Sequence, residues 1–279
     1  MSGLPDVMIE PAVRAALLED LGRAGDITSE SVVPEHAVAR CQLVAREVGV
    51  VAGADFARIA FGVIDSRVKF KPLLRDGARL APGDVIAEIT GPARSVLTAE
   101  RVALNFLGHL SGIASATRGI ADAIAHTKAR ITCTRKTTPG LRFAEKYAVR
   151  MGGGANHRFG LDDAILIKDN HIALCGGVVA ALRAARDAAG HLVKIEVEVD
   201  TLEQLAQALP EKPDAVLLDN MSLAQLREAV LMIDGRAITE ASGRINAETA
   251  KGIAETGVDL LSAGWLTHSA KVLDIGLDF

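Results

Sequence analysis

In the second half of the chain, short apolar runs alternate with amphipathic segments. Residues 130–134, 164–168, 193–199, 214–219, 237–241 and 258–262 read as buried strands, and residues 140–150, 172–189, 202–209, 223–233 and 247–256 as helices. A repeated strand-then-helix order makes a parallel sheet with helices outside, because each parallel return needs a crossover. The sheet can be open or closed into a barrel, and six countable strands argue against a complete eightfold one.

The first hundred residues follow a different rhythm. Alternating or β-rich runs at 39–51, 67–74 and 84–90 are broken by Gly53, Asp76-Gly77, Pro82-Gly83 and Gly91-Pro92, the pattern of a small sheet with turns. A short helix is expected at 13–21. Residues 76–91 look like the hairpin of a swinging-arm carrier, but no lysine stands at the turn to be modified. The pattern changes near residue 98, where Thr98 reads as an N-cap and Val102, Phe106, Leu110 and Ala114 recur at helical spacing. A second stripe on that helix, Arg101, Asn105, Gly108 and Gly112, is polar or small. It suits close approach of another helix or subunit, or simple packing on its own domain.

Polar residues cluster at the ends of the later strands. Arg135 and Lys136 follow the first, Lys168-Asp169-Asn170 the second, Glu198 and Asp200 end the third, Asp219-Asn220 the fourth, Ser242-Gly243 the fifth, and Gly264 follows the sixth. All are C-terminal ends, where parallel α/β folds gather their reactive loops. Between residues 134 and 171 there are seven Lys or Arg and four acids, although the whole chain has 31 basic and 35 acidic residues and a net charge of −4. Such a local excess fits a pocket for a polyanionic small molecule, or a solvated basic face, better than a nucleic-acid surface. Arg pairs with carboxylate and phosphate through two bonds and Lys acts as a point charge. Glu198 and Asp219 are hard oxygen ligands suited to Mg²⁺, with a salt bridge or helix cap as the alternative. Ser242-Gly243 and Gly264 fit a late phosphate-cradling loop.

Composition narrows the class further. With 279 residues, 49% of them hydrophobic, the chain can bury a large core as one barrel or two domains. There is no uncharged apolar run of eighteen residues, and residues 1–18 carry Asp6, Glu10 and Arg14 without an apolar signal core, so neither membrane insertion nor export is expected. Cys41, Cys133 and Cys175 are far apart and lack metal or redox spacing, as expected for reduced, mostly buried thiols in a cytoplasm. His36, His109, His126 and His191 read as surface or packed imidazoles. His171 fits a helix cap as well as a site role, and Trp265 is expected beside the phosphate loop.

The stretches TRKTTPGLR, KYAV, GGGANHRFGLDDAILIKDNH and IEVEVDTLEQ, with EDLGRAGDITSE near the start and ERVALNFLGHLSGIA in the long helix, closely resemble the decarboxylating quinolinate phosphoribosyltransferases of NAD synthesis. The likeness runs over nearly the whole chain. It implies the type II phosphoribosyltransferase architecture: an N-terminal α/β sandwich over residues 1–112, including the start of the long helix, and a C-terminal incomplete α/β barrel over 113–279, whose last residues can pack back on the first domain. It also implies a homodimer or hexamer with each active site shared between subunits.

The same resemblance assigns roles. Arg101 would reach into a neighbouring subunit's pocket, and Arg135, His157, Arg158 and Lys168 would surround the two carboxylates of quinolinate. Lys136 and Lys168 would touch 5-phosphoribosyl 1-diphosphate, Glu198 and Asp219 its Mg²⁺ and ribose hydroxyls, and Ser242, Gly243, Gly264 and His268 its 5′-phosphate. Lys168, Glu198 and Asp219 carry the catalytic roles, with Asn170 and Glu240 in support. Rival expectations are a nicotinate-using transferase without decarboxylation, a paralogue from molybdenum-transport gene clusters, and a non-catalytic anion binder. Neither nucleic acid nor a membrane is an expected partner.

Overall fold

The structure, a computed structural model, describes residues 3–279. The chain forms two compact units, one made of residues 1–118, 137–153 and 267–279 and the other of residues 119–136 and 154–266.

The first unit contains helices α1 (Asp6–Leu21), α2 (Ile27–Val32) and α3 (Ala54–Ile64), strands β1 (Val38–Ala45), β2 (Gly49–Val50), β3 (Lys69–Pro72), β4 (Arg79–Leu80) and β5 (Val85–Pro92), and most of the 31-residue helix α4 (Ala93–Ala123). Helix α5 (Arg142–Met151) and strand β12 (Ile275–Asp278) also belong to it. Its main sheet has the order β12-β1-β5-β3 and is antiparallel throughout. Along β1, Ala39, Cys41 and Leu43 point to the core while Val38, Arg40 and Gln42 are exposed, the period-2 pattern of a sheet covered on one face. Phe56 of α3 stacks near Phe106 of α4 and Phe143 of α5, with ring centroids 5.1 and 6.1 Å away. Burial pushes the Cys41 thiol up to about 11, aided by the Glu100 charge, so it stays a protonated core group.

Two sequence expectations change here, and the open one about the helix stripe is decided. Helix α1 begins at Asp6, not at residue 13. Pro11 lies inside it and forfeits one backbone bond on the side of exposed Val7, while Ile9, Val13 and Leu17 form the buried stripe. Helix α4 begins at Ala93, so Thr98 is internal: its hydroxyl donates to the Arg94 carbonyl at 2.9 Å and also bonds Asp26. The small half of the helix stripe is used within the chain. A Cβ on Gly112 would land on the Lys271 carbonyl, and one on Gly108 would lie 2.9 Å from the Leu273 oxygen.

The second unit is built on strands β6 (Arg130–Thr132), β7 (Ile165–Ile167), β8 (Ile195–Val199), β9 (Ala215–Asp219), β10 (Ile238–Ser242) and β11 (Leu260–Ser262). They form an all-parallel sheet in the order β6-β11-β10-β9-β8-β7. Strands β6 and β7 are its two edges, so the barrel stays open; a single parallel bridge joins Thr132 to Ala155. The crossovers carry α6 (Asp169–Cys175), α7 (Val178–Ala188), α8 (Leu202–Ala208), α9 (Leu223–Ile233) and α10 (Ala250–Ala254), and α11 (Trp265–His268) follows β11. The single helix expected at 172–189 is two, because Gly176 (φ 86°) and Gly177 (φ 127°) adopt positive-φ conformations that other residues rarely take and that end the helix. The helix expected at 247–256 shrinks to five residues.

Candidate active site

The alternation of β8 sets the site. Ile195, Val197 and Val199 are buried on one face, and Glu196 and Glu198 project from the other. Glu198 pairs with Leu217 of β9, which pairs in turn with Glu240 of β10, so these three share one row. Asp219 and Ser242 share the next row of the same face, two residues nearer the C-terminal end. A parallel sheet covered on both sides ordinarily lines both faces with apolar residues. Four carboxylates here mark a lined interior rather than a packed one.

At its upper rim the Lys168 ammonium lies 3.5 Å from the Glu198 carboxylate. Burial pushes the Glu198 carboxyl above its usual range; Lys168 opposes this, and the charges of Asp219 and Asp169 add to it. Asp200 is raised in the same way, by burial and then by Asp219 and Asp169. Carboxylates crowded so that neighbouring acids raise Glu198 and Asp200 are a fit for a hard divalent cation, which would relieve the repulsion. The Asn220 amide donates to Asp219 at 2.6 Å, and Asn220 itself holds the left-handed φ of 52°. It lies so close to Gly243 (φ 95°) that a Cβ there would sit 2.8 Å from the Asn220 amide carbon. Gly264 leaves similar room for Lys136, whose Cδ would be 2.8 Å from an added Cβ.

The loop before β7 brings the cations. The Arg158 Nη1 donates to the Ala164 carbonyl at 3.0 Å, while its Nε is buried without a hydrogen-bond partner among the described residues. Burial and then the neighbouring Arg135 charge lower the Arg158 pKa, against the pull of Asp163 and Glu196. Two guanidiniums this close, one with an unspent buried N–H, favour an anion between them. Asp163 straps the turn by accepting from the Phe159 and Gly160 N–H groups at 2.6 and 2.8 Å. His157 is drawn inward: its Nε2 lies 2.9 Å from Glu196 and 3.7 Å from Glu240. A cavity of about 550 Å³ borders this loop, lined by Arg158, Leu166, His171 and Leu174 among others.

The structure therefore gathers Arg135, Lys136, His157, Arg158, Lys168, Glu198, Asp219, Ser242, Gly243 and Gly264 in the second unit. Arg101, exposed on α4, and His268, whose Nδ1 lies 2.6 Å from the Ser269 hydroxyl, belong to the first. Ser242-Gly243 does not stand at a helix start, since α10 begins only at Ala250; the turn instead places Gly243 and Arg244 successively at positive φ. Trp265 donates its indole N–H to the Ile245 carbonyl in this loop at 2.7 Å. His171 caps α6 by accepting the Lys168 N–H at 2.9 Å. Glu196 was not among the expected site residues. Its signal was the Glu-Val-Glu-Val alternation in a strand that parallel pairing should have made apolar on both sides.

Comparison with known proteins agrees with this geometry. Residues 26–111 match the family model described as quinolinate phosphoribosyl transferase, N-terminal domain, and residues 113–278 the model of the C-terminal domain. The chain is 50% identical over 273 residues to the nicotinate-nucleotide pyrophosphorylase [carboxylating] of Mycobacterium leprae, covering 95% of each. With the probable enzyme of that name from Bacillus subtilis it shares 46% over 261 residues, 94% of this chain and 90% of the relative. The crystal structure of NadC from Streptococcus pyogenes superposes with a TM-score of 0.96 at 43% identity, over 100% of this chain and 98% of the other. With both halves matched in order, and with open barrel, paired arginines and rim carboxylates on one scaffold, the chain belongs to the quinolinate phosphoribosyl transferase family.

Proposed function

We propose that this protein transfers phosphoribose from 5-phosphoribosyl 1-diphosphate to quinolinate with decarboxylation, giving nicotinate mononucleotide, diphosphate and CO₂ in NAD biosynthesis. The observation that carries the reading is the buried, unspent Arg158 Nε beside Arg135, facing the demand of a dianionic ring acid. Family membership and the carboxylate rim support it.

In this reading Arg135, Arg158 and Lys168 bind the two ring carboxylates, with His157 behind Arg158. Arg101 of a neighbouring subunit completes the set in a homodimer or hexamer, which its exposure on α4 allows. Lys136 and Lys168 hold the diphosphate, and Ser242, Gly243, Gly264 and His268 hold the 5′-phosphate. Glu198 and Asp219 would hold Mg²⁺ and the ribose hydroxyls; when bound, the ion supplies positive charge against the departing diphosphate.

The quinolinate nitrogen attacks the anomeric carbon as the carbon–oxygen bond to diphosphate breaks. The ring is now cationic. The bond from C2 to its carboxylate then breaks, CO₂ leaves, and the electron pair stays on C2 beside the positive nitrogen until one proton replaces it. Lys168 places its charge beside the carboxylate that departs, and the barrel's part is orientation and electrostatics. No described helix is long and apolar enough to cross a membrane, and we assign a cytoplasmic location.

The deciding assay gives purified protein quinolinate, phosphoribosyl diphosphate and Mg²⁺ and follows nicotinate mononucleotide and CO₂ together, with nicotinate as a parallel substrate. Equal yields of both products from quinolinate alone are expected. Turnover of nicotinate without CO₂ would move the protein to the non-decarboxylating transferases, and silence with both would leave an anion binder or transport-cluster paralogue.

A further inference from the structure

The Glu196 carboxylate lies on the interior face of the barrel, one strand alternation below Glu198, and no role is yet assigned to it. One oxygen of Glu196, one of Glu240 and a ring nitrogen of His157 lie within 4.8 Å of one another. The His157 side chain is only 11% exposed and Glu196 12%, so the group is screened from bulk water. On the other side of the ring, Nδ1 accepts the backbone N–H of Arg158 at 2.7 Å. A nitrogen that accepts cannot also carry the proton, so the proton of this imidazole belongs on Nε2, where it is donated to Glu196 at 2.9 Å. Glu240, at 3.7 Å from the same nitrogen, adds field without a bond of normal length. The order is continuous: carboxylate, imidazole, backbone N–H, and then the Arg158 side chain, whose far end donates to the Ala164 carbonyl.

We propose that Glu196, backed by Glu240, is a positioning residue: it fixes the His157 tautomer, and through the His157–Arg158 backbone bond it sets the aim of the Arg158 guanidinium toward the substrate dicarboxylate. The role of Arg158 rests on the function proposed above; the tautomer does not. Carboxylates often orient an imidazole in this way so that its other nitrogen serves a second partner. Here the second partner is main chain, and what is oriented is the following residue. Among the described residues Glu196 Oε1 has no hydrogen-bond partner, so the hydrogen bond of this carboxylate to the imidazole is made by its other oxygen.

The test uses ¹⁵N-labelled full-length protein, with His157→Gln to assign the ring signals, and steady-state kinetics on both substrates. In the unaltered protein His157 should show a protonated Nε2 and a bare Nδ1. Glu196→Ala should mix or invert the tautomers and raise KM for quinolinate about tenfold, the effect of one lost charge-assisted hydrogen bond. KM for phosphoribosyl diphosphate should move less than about twofold on the same reasoning. Glu196→Gln keeps an acceptor and should restore the tautomer and most of the quinolinate affinity. Removing one of two adjacent carboxylates lessens repulsion, so the variants should fold. An unchanged Nε2–H tautomer in Glu196→Ala with unchanged quinolinate KM overturns the proposal, as does an equal rise of both KM values. If the unaltered protein does not turn over quinolinate, the functional reading fails, and the ring signals of Glu196→Ala still decide whether Glu196 sets the tautomer.

Discussion

The Lys168 ammonium stands 3.5 Å from the Glu198 carboxylate, where adjacent strands β7 and β8 end. Asp219 and Asp169 act against Lys168 at Glu198 and also raise Asp200, so acids crowd the rim. The free protein therefore holds a charge imbalance that a substrate-bound cation would correct.

Glu198→Gln should separate stability from activity. Burial and neighbouring acids raise the folded pKa of Glu198 above its unfolded value. Between those two values the native state holds the extra proton, so stability present at acid pH is lost as pH rises through the window above the ordinary carboxylate range. At neutral pH the charged side chain is a cost. The amide variant should melt higher at pH 7, at roughly 2–4 °C for each kcal/mol relieved in a chain somewhat smaller than this one, and should gain less at pH 4. Its turnover should fall at least a hundredfold, about 2.7 kcal/mol of transition-state stabilisation. A melting temperature unmoved at both pH values would contradict the strain assigned to this carboxylate.

Lys168→Ala should lower kcat by about 10²-fold or more, as for loss of a group that stabilises charge in the transition state. Substrate binding measured by calorimetry should weaken less. An intact rate would remove this lysine from the chemistry.

Gly243→Ala places a side chain at φ 95° and against Asn220. Strain of this kind costs on the order of 1–3 kcal/mol. Chemical denaturation should register that loss, and KM for phosphoribosyl diphosphate should rise if, as proposed, this turn cradles the 5′-phosphate, because it must open. Gly264→Ala meets the flexible Lys136 chain and, at 3.3 Å, the Thr134 hydroxyl, both side-chain atoms that can yield, so it should change the same KM with a smaller loss of stability than Gly243→Ala.

Gly112→Ala should be the most destabilising of these glycine changes. Its Cβ meets the Lys271 backbone carbonyl, which cannot yield as a side-chain tip can. A loss above about 3 kcal/mol by denaturant titration is expected, near the upper range for single substitutions. Limited proteolysis should find the segment after Thr267 released.

Much of the barrel was legible because its strands are short, largely β-branched or apolar, and closed by polar residues or glycine. The rim residues Lys168, Glu198 and Asp219 followed from that punctuation alone. Helix α3 was not read, although Phe56, Ala57, Ile59, Ala60 and Phe61 form its buried face. The start of α4 was misplaced because Thr98 has the chemistry of a cap but spends its hydroxyl on the preceding turn and on Asp26. The run at 39–51 hid a break between β1 and β2. Within the site, the partnership of Glu196, Glu240 and His157 depends on three segments far apart in sequence, and local spacing carries no trace of it.

Strand β12 lies beside β1 in the first unit's sheet, pairing Gln42 with Asp278 and Ala45 with Ile275. During synthesis β1 leaves the ribosome more than two hundred residues before that partner is made, and every strand of the barrel is made in between. Until then β1 presents an open edge on one side, a surface prone to mispairing. The barrel can therefore fold on the nascent chain while the earlier-made sheet waits, and the order of completion inverts the order of translation.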